Sequence, residues 1–117
     1  MEYSESANIG KVVIAPEVLI TIAKLSTLSV PGVTRMAPVP GGIGRYFKRG
    51  ASDGVRIEVL GDLSLVADLY IVINGDANVH MVSETIQAEV VRAMLEMVGM
   101  DAKTVKVHIE EVDYGEM

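Results

Sequence analysis

The sequence predicts an α+β fold, namely a two-layer sandwich of a mainly antiparallel sheet with two helices packed on one face. Three strand-like runs, at residues 54–60, 65–74 and 104–112, each alternate apolar and polar side chains. Two segments with helical apolar spacing, 16 to about 29 and 78 to about 98, supply the second layer. Because each strand has one apolar face and each helix one apolar stripe, the simplest assembly places both helices on the same side of the sheet.

The first elements are expected to be a loose tail at residues 1–8 and a short strand at 10–15. Pro16 then suits the first turn of a helix, since its missing N–H would lack a partner there anyway. This helix should end before Pro31, because the residue before a proline avoids helical backbone angles. A brief strand is predicted from Val33 to Ala37. The apolar stripe of the helix is predicted to contain Leu19, Ile22, Ala23 and Leu25.

The second half of the chain is predicted to form a hairpin, a long helix and a last strand. The turn at residues 61–64 is short, so the strands on either side of it should be antiparallel neighbours. Asn78 can cap the long helix, and Gly99 can end it in the left-handed conformation. The element order is therefore β-α-(β)-β-β-α-β in a single domain, 1–117. The apolar stripe of the long helix is predicted to contain Val79, Val82, Ile86, Val90, Ala93 and Met97.

Composition limits the function classes. Sixteen acidic residues against ten basic ones give a net charge of −6, which disfavours nucleic acid as a partner because its binding depends on many Lys and Arg contacts. The absence of cysteine excludes disulfides and thiolate metal sites. No run approaches the ~20 apolar residues of a membrane span. We therefore expect a cytoplasmic protein with no direct membrane span.

The sheet face opposite the helices is predicted to be exposed to solvent and to contact partners, since an antiparallel sheet can leave one face wet. Asp68 interrupts the most apolar strand, and a carboxylate there must be solvated or paired. Arg56 or Lys106 on a neighbouring strand can supply the cation. The candidate partner-contact residues of this face are Arg56, Asp68, Tyr70, Lys106, His108, Glu110 and Glu111, with Glu58 beside them.

The loop at residues 38–53 is expected to be mobile and offers a second candidate surface. Gly41-Gly42-Ile43-Gly44 matches the GxxG pattern of KH domains, but prolines rather than a helix lead into it. Residues 35–52 carry basic residues and no acidic one, whereas residues 110–117 carry acidic residues and no basic one. The candidate partner-contact residues of the loop are Arg45, Tyr46, Phe47, Lys48 and Arg49.

We hypothesise that this loop docks on the acidic end of a neighbouring molecule, with Tyr46 and Phe47 as buried anchors. Such a head-to-tail contact would generate rings or open filaments. Two alternatives remain, in which the acidic end is simply solvated or neutralises the loop within one molecule.

No residue set indicates catalysis, a cofactor or a metal. His80 and Glu84 lie four residues apart on one predicted helix, but two ligands fall short of a usual metal site. The serines lack a nucleophile elbow and a neighbouring histidine. We therefore expect a protein that is not an enzyme and has no cofactor.

Several segments, in their order along the chain, resemble the bacterial alkaline shock protein family, also called the envelope stress response protein family. They are GKVVIAPEVLITIAKLSTLSVPGVTRM, GVRIEVL with LVADLYIVI, and VSETIQAEVVRAMLEMVGM with VKVHIEEV, and they cover roughly residues 9–113. The chain departs from the family pattern at Lys106, where the family commonly has Asn, so a partner surface on that last strand can differ. A second departure is the Asn74-Gly75-Asp76 turn.

The resemblance implies a small cytosolic protein without enzymatic activity that self-associates as a homo-oligomer. It also implies that a separate anchor protein holds it near the membrane. Two other functions stay open at this point. One is a nucleic-acid-binding module that uses the Gly41–Gly44 loop, and the other is a regulator or carrier linked to lipid metabolism.

Overall fold

The computed structural model describes residues 12–40, 51–61 and 63–115. Across these ranges the chain forms two helices and five strands, which share one hydrophobic core. The α+β class, the mainly antiparallel sheet and the placement of both helices on one face confirm the predicted fold class. The elements are α1 (Pro16–Leu28), β1 (Val33–Met36), β2 (Ala51–Ser52), β3 (Val55–Leu60), β4 (Ser64–Asn74), α2 (Val79–Val98) and β5 (Asp101–Asp113).

Strand β4 is the centre of the sheet. One of its edges pairs antiparallel with β3 and, further along, with β1, and β2 continues the sheet beyond β3. Along its other edge, β5 runs parallel to it from the Ser64–Asp101 pair to the Asn74–Asp113 pair. A parallel pair needs a long crossover, and α2 provides it. Within the described sheet β5 has a strand on one side only, so its other side is a free edge.

The predicted strand at residues 10–15 is wrong for the part that the structure describes. Residues 12–15 form no strand, and Val12 and Val13 are 89% and 85% exposed. Residues 10 and 11 lie outside the described ranges. The physical reason is that β5 occupies one edge of β4 while β3 and β1 occupy the other, so this run could pair only at an outer edge of the sheet, with hydrogen bonds on one side alone. Ile14 alone of this short segment packs against the core.

The core lies between the helices and one face of the sheet. Alternate residues of β4 are almost completely buried and contact the buried side chains of both helices. They are Leu65, Ala67, Leu69, Ile71 and Ile73. The helices contribute Leu19, Ile20, Ile22 and Ala23 from α1, and Val82, Ile86, Val90 and Met94 from α2.

Three apolar helix residues that the sequence places in the core are exposed, namely Leu25, Val79 and Met97. The buried positions of α2 follow a strict spacing of four residues from Val82, which leads to Met94 instead. Spacing alone could not separate these stripes, because both contain apolar residues.

The ends of α2 are as predicted. Asn78 Oδ1 accepts a hydrogen bond from the Met81 N–H at 3.0 Å, which satisfies one of the free donors of the first turn. Gly99 adopts the left-handed conformation with φ of 69° and ends the helix. Gly99 thus ends α2 two residues before β5 begins at Asp101.

Candidate functional site

Four side chains from β3, β4 and β5 meet on the sheet face opposite the helices. Arg56 pairs in register with Asp68, and Tyr70 pairs in register with His108. Because side chains two residues apart on a strand share a face, all four lie on the face that the described helices leave open. We call Arg56, Asp68, Tyr70 and His108 the open-face cluster.

Asp68 is the centre of the open-face cluster. Its Oδ2 accepts a hydrogen bond from Arg56 Nη2 at 3.2 Å, and its Oδ1 lies 2.9 Å from His108 Nε2. Burial opposes ionisation of this carboxyl, but the hydrogen bonds to His108 and Arg56 outweigh burial and lower its pKa. The carboxylate therefore carries its charge in a site where only 11% of the side chain is exposed.

The predicted pairing of Asp68 with Arg56 is confirmed, and the alternative partner Lys106 is not used. Lys106 is the register neighbour of Asp68 on β5, yet its side chain is exposed and forms no ion pair with Asp68 in the described part of the chain. His108 is the second partner. Sequence reasoning placed His108 on this face without pairing it, because the parallel register of β5 against β4 was not evident.

Tyr70 packs against the imidazole of His108. The two ring centroids are 4.3 Å apart, and the ring planes differ by 11°, which is a stacked pair. Burial raises the pKa of the Tyr70 hydroxyl; Arg56 opposes this shift, while Asp68 and Glu110 add to it. The stack fixes the orientation of His108 beside Asp68.

The expectation that the whole open face is exposed is wrong for Asp68 and Tyr70, which are 7% and 5% exposed. Tyr70 belongs to a second small cluster with Ala37 and Val72, against which Val39 packs. The segment that follows β1 therefore covers this part of the face. Glu58, Lys106, Glu110 and Glu111 are exposed, as predicted.

A second charged group lies further along the same face. Arg35 on β1 has guanidinium nitrogens 3.6 Å from a carboxylate oxygen of Glu111 and 3.6 Å from one of Asp113. These half-exposed pairs are individually weak, on the order of 0–1 kcal/mol. Arg35 therefore contacts the acidic end of its own molecule, which is the intramolecular alternative to docking on a neighbouring molecule. The loop residues Arg45 to Arg49 and the Gly41–Gly44 pattern lie outside the described residues.

His80 and Glu84 are both exposed on α2. In the ranges that the structure describes, no group of three histidine or acidic side chains is placed to hold a metal ion. Neither described helix is long and apolar enough to cross a membrane.

The charged state of Asp68 leads to a prediction on pH. Its pKa is lowered in the folded state from the ordinary 3.8, so its contribution to stability is present above pH 3.8 and is lost as the pH falls through the folded value. We expect the difference in melting temperature between the protein and Asp68→Asn to narrow from about pH 6 to about pH 3. Thermal melts across this range measure it, and a constant difference would contradict the assignment.

Comparison of the sequence with known families gives a match over residues 4–114 to the alkaline shock protein family, which is described as having a cell envelope-related function. The chain belongs to this family. The resemblance seen in the sequence is thereby confirmed, and the match includes every residue of the open-face cluster.

Two bacterial relatives of this alkaline shock family protein align over most of their lengths. The uncharacterized protein YqhY of Bacillus subtilis is 28% identical over 112 residues, which cover 94% of this chain and 82% of YqhY. The uncharacterized protein Spy1535 of Streptococcus pyogenes serotype M6 is 30% identical over 109 residues, which cover 89% of this chain and 80% of Spy1535.

Among solved structures, two variants of the MamM CTD, one of them in a zinc form, share the fold. Both have a TM-score of 0.55 and 18% identity and cover 86% of this chain, with 90% and 85% of their own chains covered. At this identity the likeness concerns the fold alone.

Proposed function

We propose that this protein is a self-associating, non-enzymatic protein of the cell envelope stress response that acts through protein contacts in the cytoplasm close to the membrane. The open-face cluster is the observation that carries the proposal. It is a polar group built across three strands, in which Asp68 and Tyr70 are buried, Arg56 and His108 reach the surface, and hydrogen bonds and a ring stack fix each side chain. The cell envelope-related function of the family supports the same reading.

The arrangement of the open face suits recognition of a protein. Side chains that are already held in place lose little conformational entropy on binding. Arg56 and His108 remain 23% and 35% exposed, so a partner can reach them. The exposed charges around them are of both signs, from Glu58, Lys106 and Glu110, which favours a partner of mixed charge over a uniformly anionic polymer.

We propose two kinds of partner. The first is a second copy of the chain, which makes the protein a homo-oligomer. The second is a separate anchor protein that holds the assembly near the membrane. The open face and the free edge of β5 are the two surfaces proposed for these contacts.

Self-association is tested by light scattering coupled to size-exclusion chromatography. We expect a mass that is a multiple of the 12.5 kDa chain and that falls on dilution over about a hundredfold range of concentration. Repeating the measurement at high salt separates a charged contact, which weakens, from an apolar one, which does not. A mass of one chain at every concentration and salt would overturn the self-association proposal.

A further inference from the structure

We infer that two copies of this protein pair through the free edge of β5, antiparallel and centred on His108, so that their sheets continue into one. This inference rests on the self-association proposed above and names its interface. It follows from the backbone of β5, from the distribution of charge along it and from the faces on which its side chains lie.

The β5 edge is unusually open. It is 13 residues long and pairs with β4 on one side only within the described sheet. Free N–H and C=O groups on such an edge pair readily with another strand unless the edge is short, bulged or interrupted by proline. β5 contains no proline. Its two register irregularities leave Lys103 and Glu110 without a partner on β4, so residues 104–109 are regular and Glu110 marks the end of the regular stretch.

The start of this edge is partly covered. Gln87 on α2 donates a hydrogen bond from Nε2 to the backbone carbonyl of Val105 at 3.1 Å. The segment from Lys106 to Glu110 follows directly, and it is the part that we assign to the contact.

The charges along β5 change sign about His108. Lys103 and Lys106 precede it, and Glu110 and Asp113 follow it at the same separations. In an antiparallel pair centred on His108, Lys106 of each copy lies opposite Glu110 of the other. The contact ends there, because the irregularity after Ile109 changes the face of the residues that follow. Opposite charges facing each other across strands stabilise the pair, and two-fold symmetry forms each contact twice.

The apolar face supports the same register. Val107 of one copy lies opposite Ile109 of the other, and both side chains are partly buried against the core. Each would lose further contact with water in the pair. The two helical layers then lie on the same side of the joined sheet.

Other registers lose this complementarity. A shift of two residues places Lys106 opposite His108 or Val112. A shift of one residue brings core-facing side chains of one copy opposite open-face side chains of the other. The pattern of charge and face therefore selects one register.

Charge reversal tests the interface in the full chain. Lys106→Glu or Glu110→Lys places like charges opposite each other, and we expect either one to weaken dimerisation at least about tenfold. The double variant exchanges the two charges, and we expect its affinity to return to within about threefold of the unchanged protein. Light scattering over a concentration series gives the affinities, and thermal melts show that each variant is folded.

Glu17→Lys is the matched control. Glu17 is an exposed glutamate of α1, in the helical layer and outside both the open face and the β5 edge, so its reversal should leave the mass unchanged. If the single β5 variants keep the original affinity, or the double variant does not recover it, the β5 interface is wrong while self-association stands. If the unchanged protein is monomeric throughout, the proposed function itself fails at this point.

Cysteine crosslinking gives a second, independent test, because the chain contains no cysteine. Opposite residues in an antiparallel pair have Cα atoms about 4.5–5.5 Å apart, within the range that a disulfide spans. A mixture of the Lys106→Cys and Glu110→Cys proteins should therefore form a crosslinked dimer under mild oxidation. Lys106→Cys alone should not, since its two copies lie about 14 Å apart along the strands. Equal crosslinking in both samples would overturn the register.

Discussion

Replacing Asp68 with alanine is expected to lower the free energy of unfolding by about 3 kcal/mol, because the carboxylate is shared by two partners on neighbouring strands. Its side chain is 11% exposed and makes contacts with Arg56 at 3.2 Å and with His108 at 2.9 Å. Without the Asp68 carboxylate, the guanidinium of Arg56 and the imidazole of His108 lie beside an apolar cavity and lose their anionic partner. Denaturant unfolding of the variant measures the loss.

Asp101→Ala is the control for this substitution. Asp101 also lies on a strand of the sheet and forms an ion pair, with Lys103 at 3.7 Å, but its side chain is 65% exposed. Its removal should cost less than about 0.5 kcal/mol, since exposed pairs contribute little. Losses of equal size at the two positions would mean that the pairing of Asp68 does not support the fold. If Asp68→Ala loses little unfolding free energy and self-associates as before, the open-face cluster does not carry the proposed function.

The parts of the fold with strong local signals could be predicted from the sequence. The turn at residues 61–64 sets β3 and β4 side by side, and Asn78 and Gly99 bound α2 within a residue. The strand at residues 10–15 could not be judged locally. Its apolar pattern is that of a strand, but whether a strand forms depends on pairing with a neighbour, and the edges of the central strand β4 are taken by elements distant in the sequence.

The candidate site also combines contacts that could be predicted from the sequence with contacts that could not. The Arg56–Asp68 pair could be predicted because a carboxylate in an apolar strand needs a partner, and the short turn fixes which residue of β3 faces it. The contact of His108 with Asp68 joins residues 40 positions apart and depends on the crossover through α2, which no local pattern reports. The burial of Tyr70 depends on the segment after β1, whose path across the face has no signature in the sequence.

Gly54→Ala is expected to be the most damaging change of a single methyl group, with a loss of about 3–4 kcal/mol in the free energy of unfolding. Gly54 has φ of +77°, a conformation that residues with a side chain rarely adopt. A methyl group there would lie 2.5 Å from the carbonyl oxygen of Ala37 and 2.9 Å from that of Tyr70. Both obstacles are backbone atoms, so no side-chain rotation relieves the clash.

The damage should also reach the open-face cluster. The Tyr70 N–H donates to the Gly54 carbonyl at 2.8 Å, and the Tyr70 carbonyl accepts from the Ala37 N–H at 2.8 Å. Moving the chain at Gly54 therefore disturbs the backbone that holds Tyr70 against His108. We expect the near-ultraviolet circular dichroism of the tyrosines to weaken in Gly54→Ala under conditions where the variant is still folded.

Gly61→Ala provides the comparison at the other end of β3. An added methyl group at Gly61 meets no atom within 4 Å, and its φ lies outside the left-handed region. The substitution should change stability by less than about 1 kcal/mol and can be slightly stabilising, because alanine restricts the unfolded chain. Equal stability of the two variants would mean that β1 and β3 do not approach each other closely at Gly54. In that case the packing of residues 37–39 over Tyr70, which shapes one side of the open face, would need another cause.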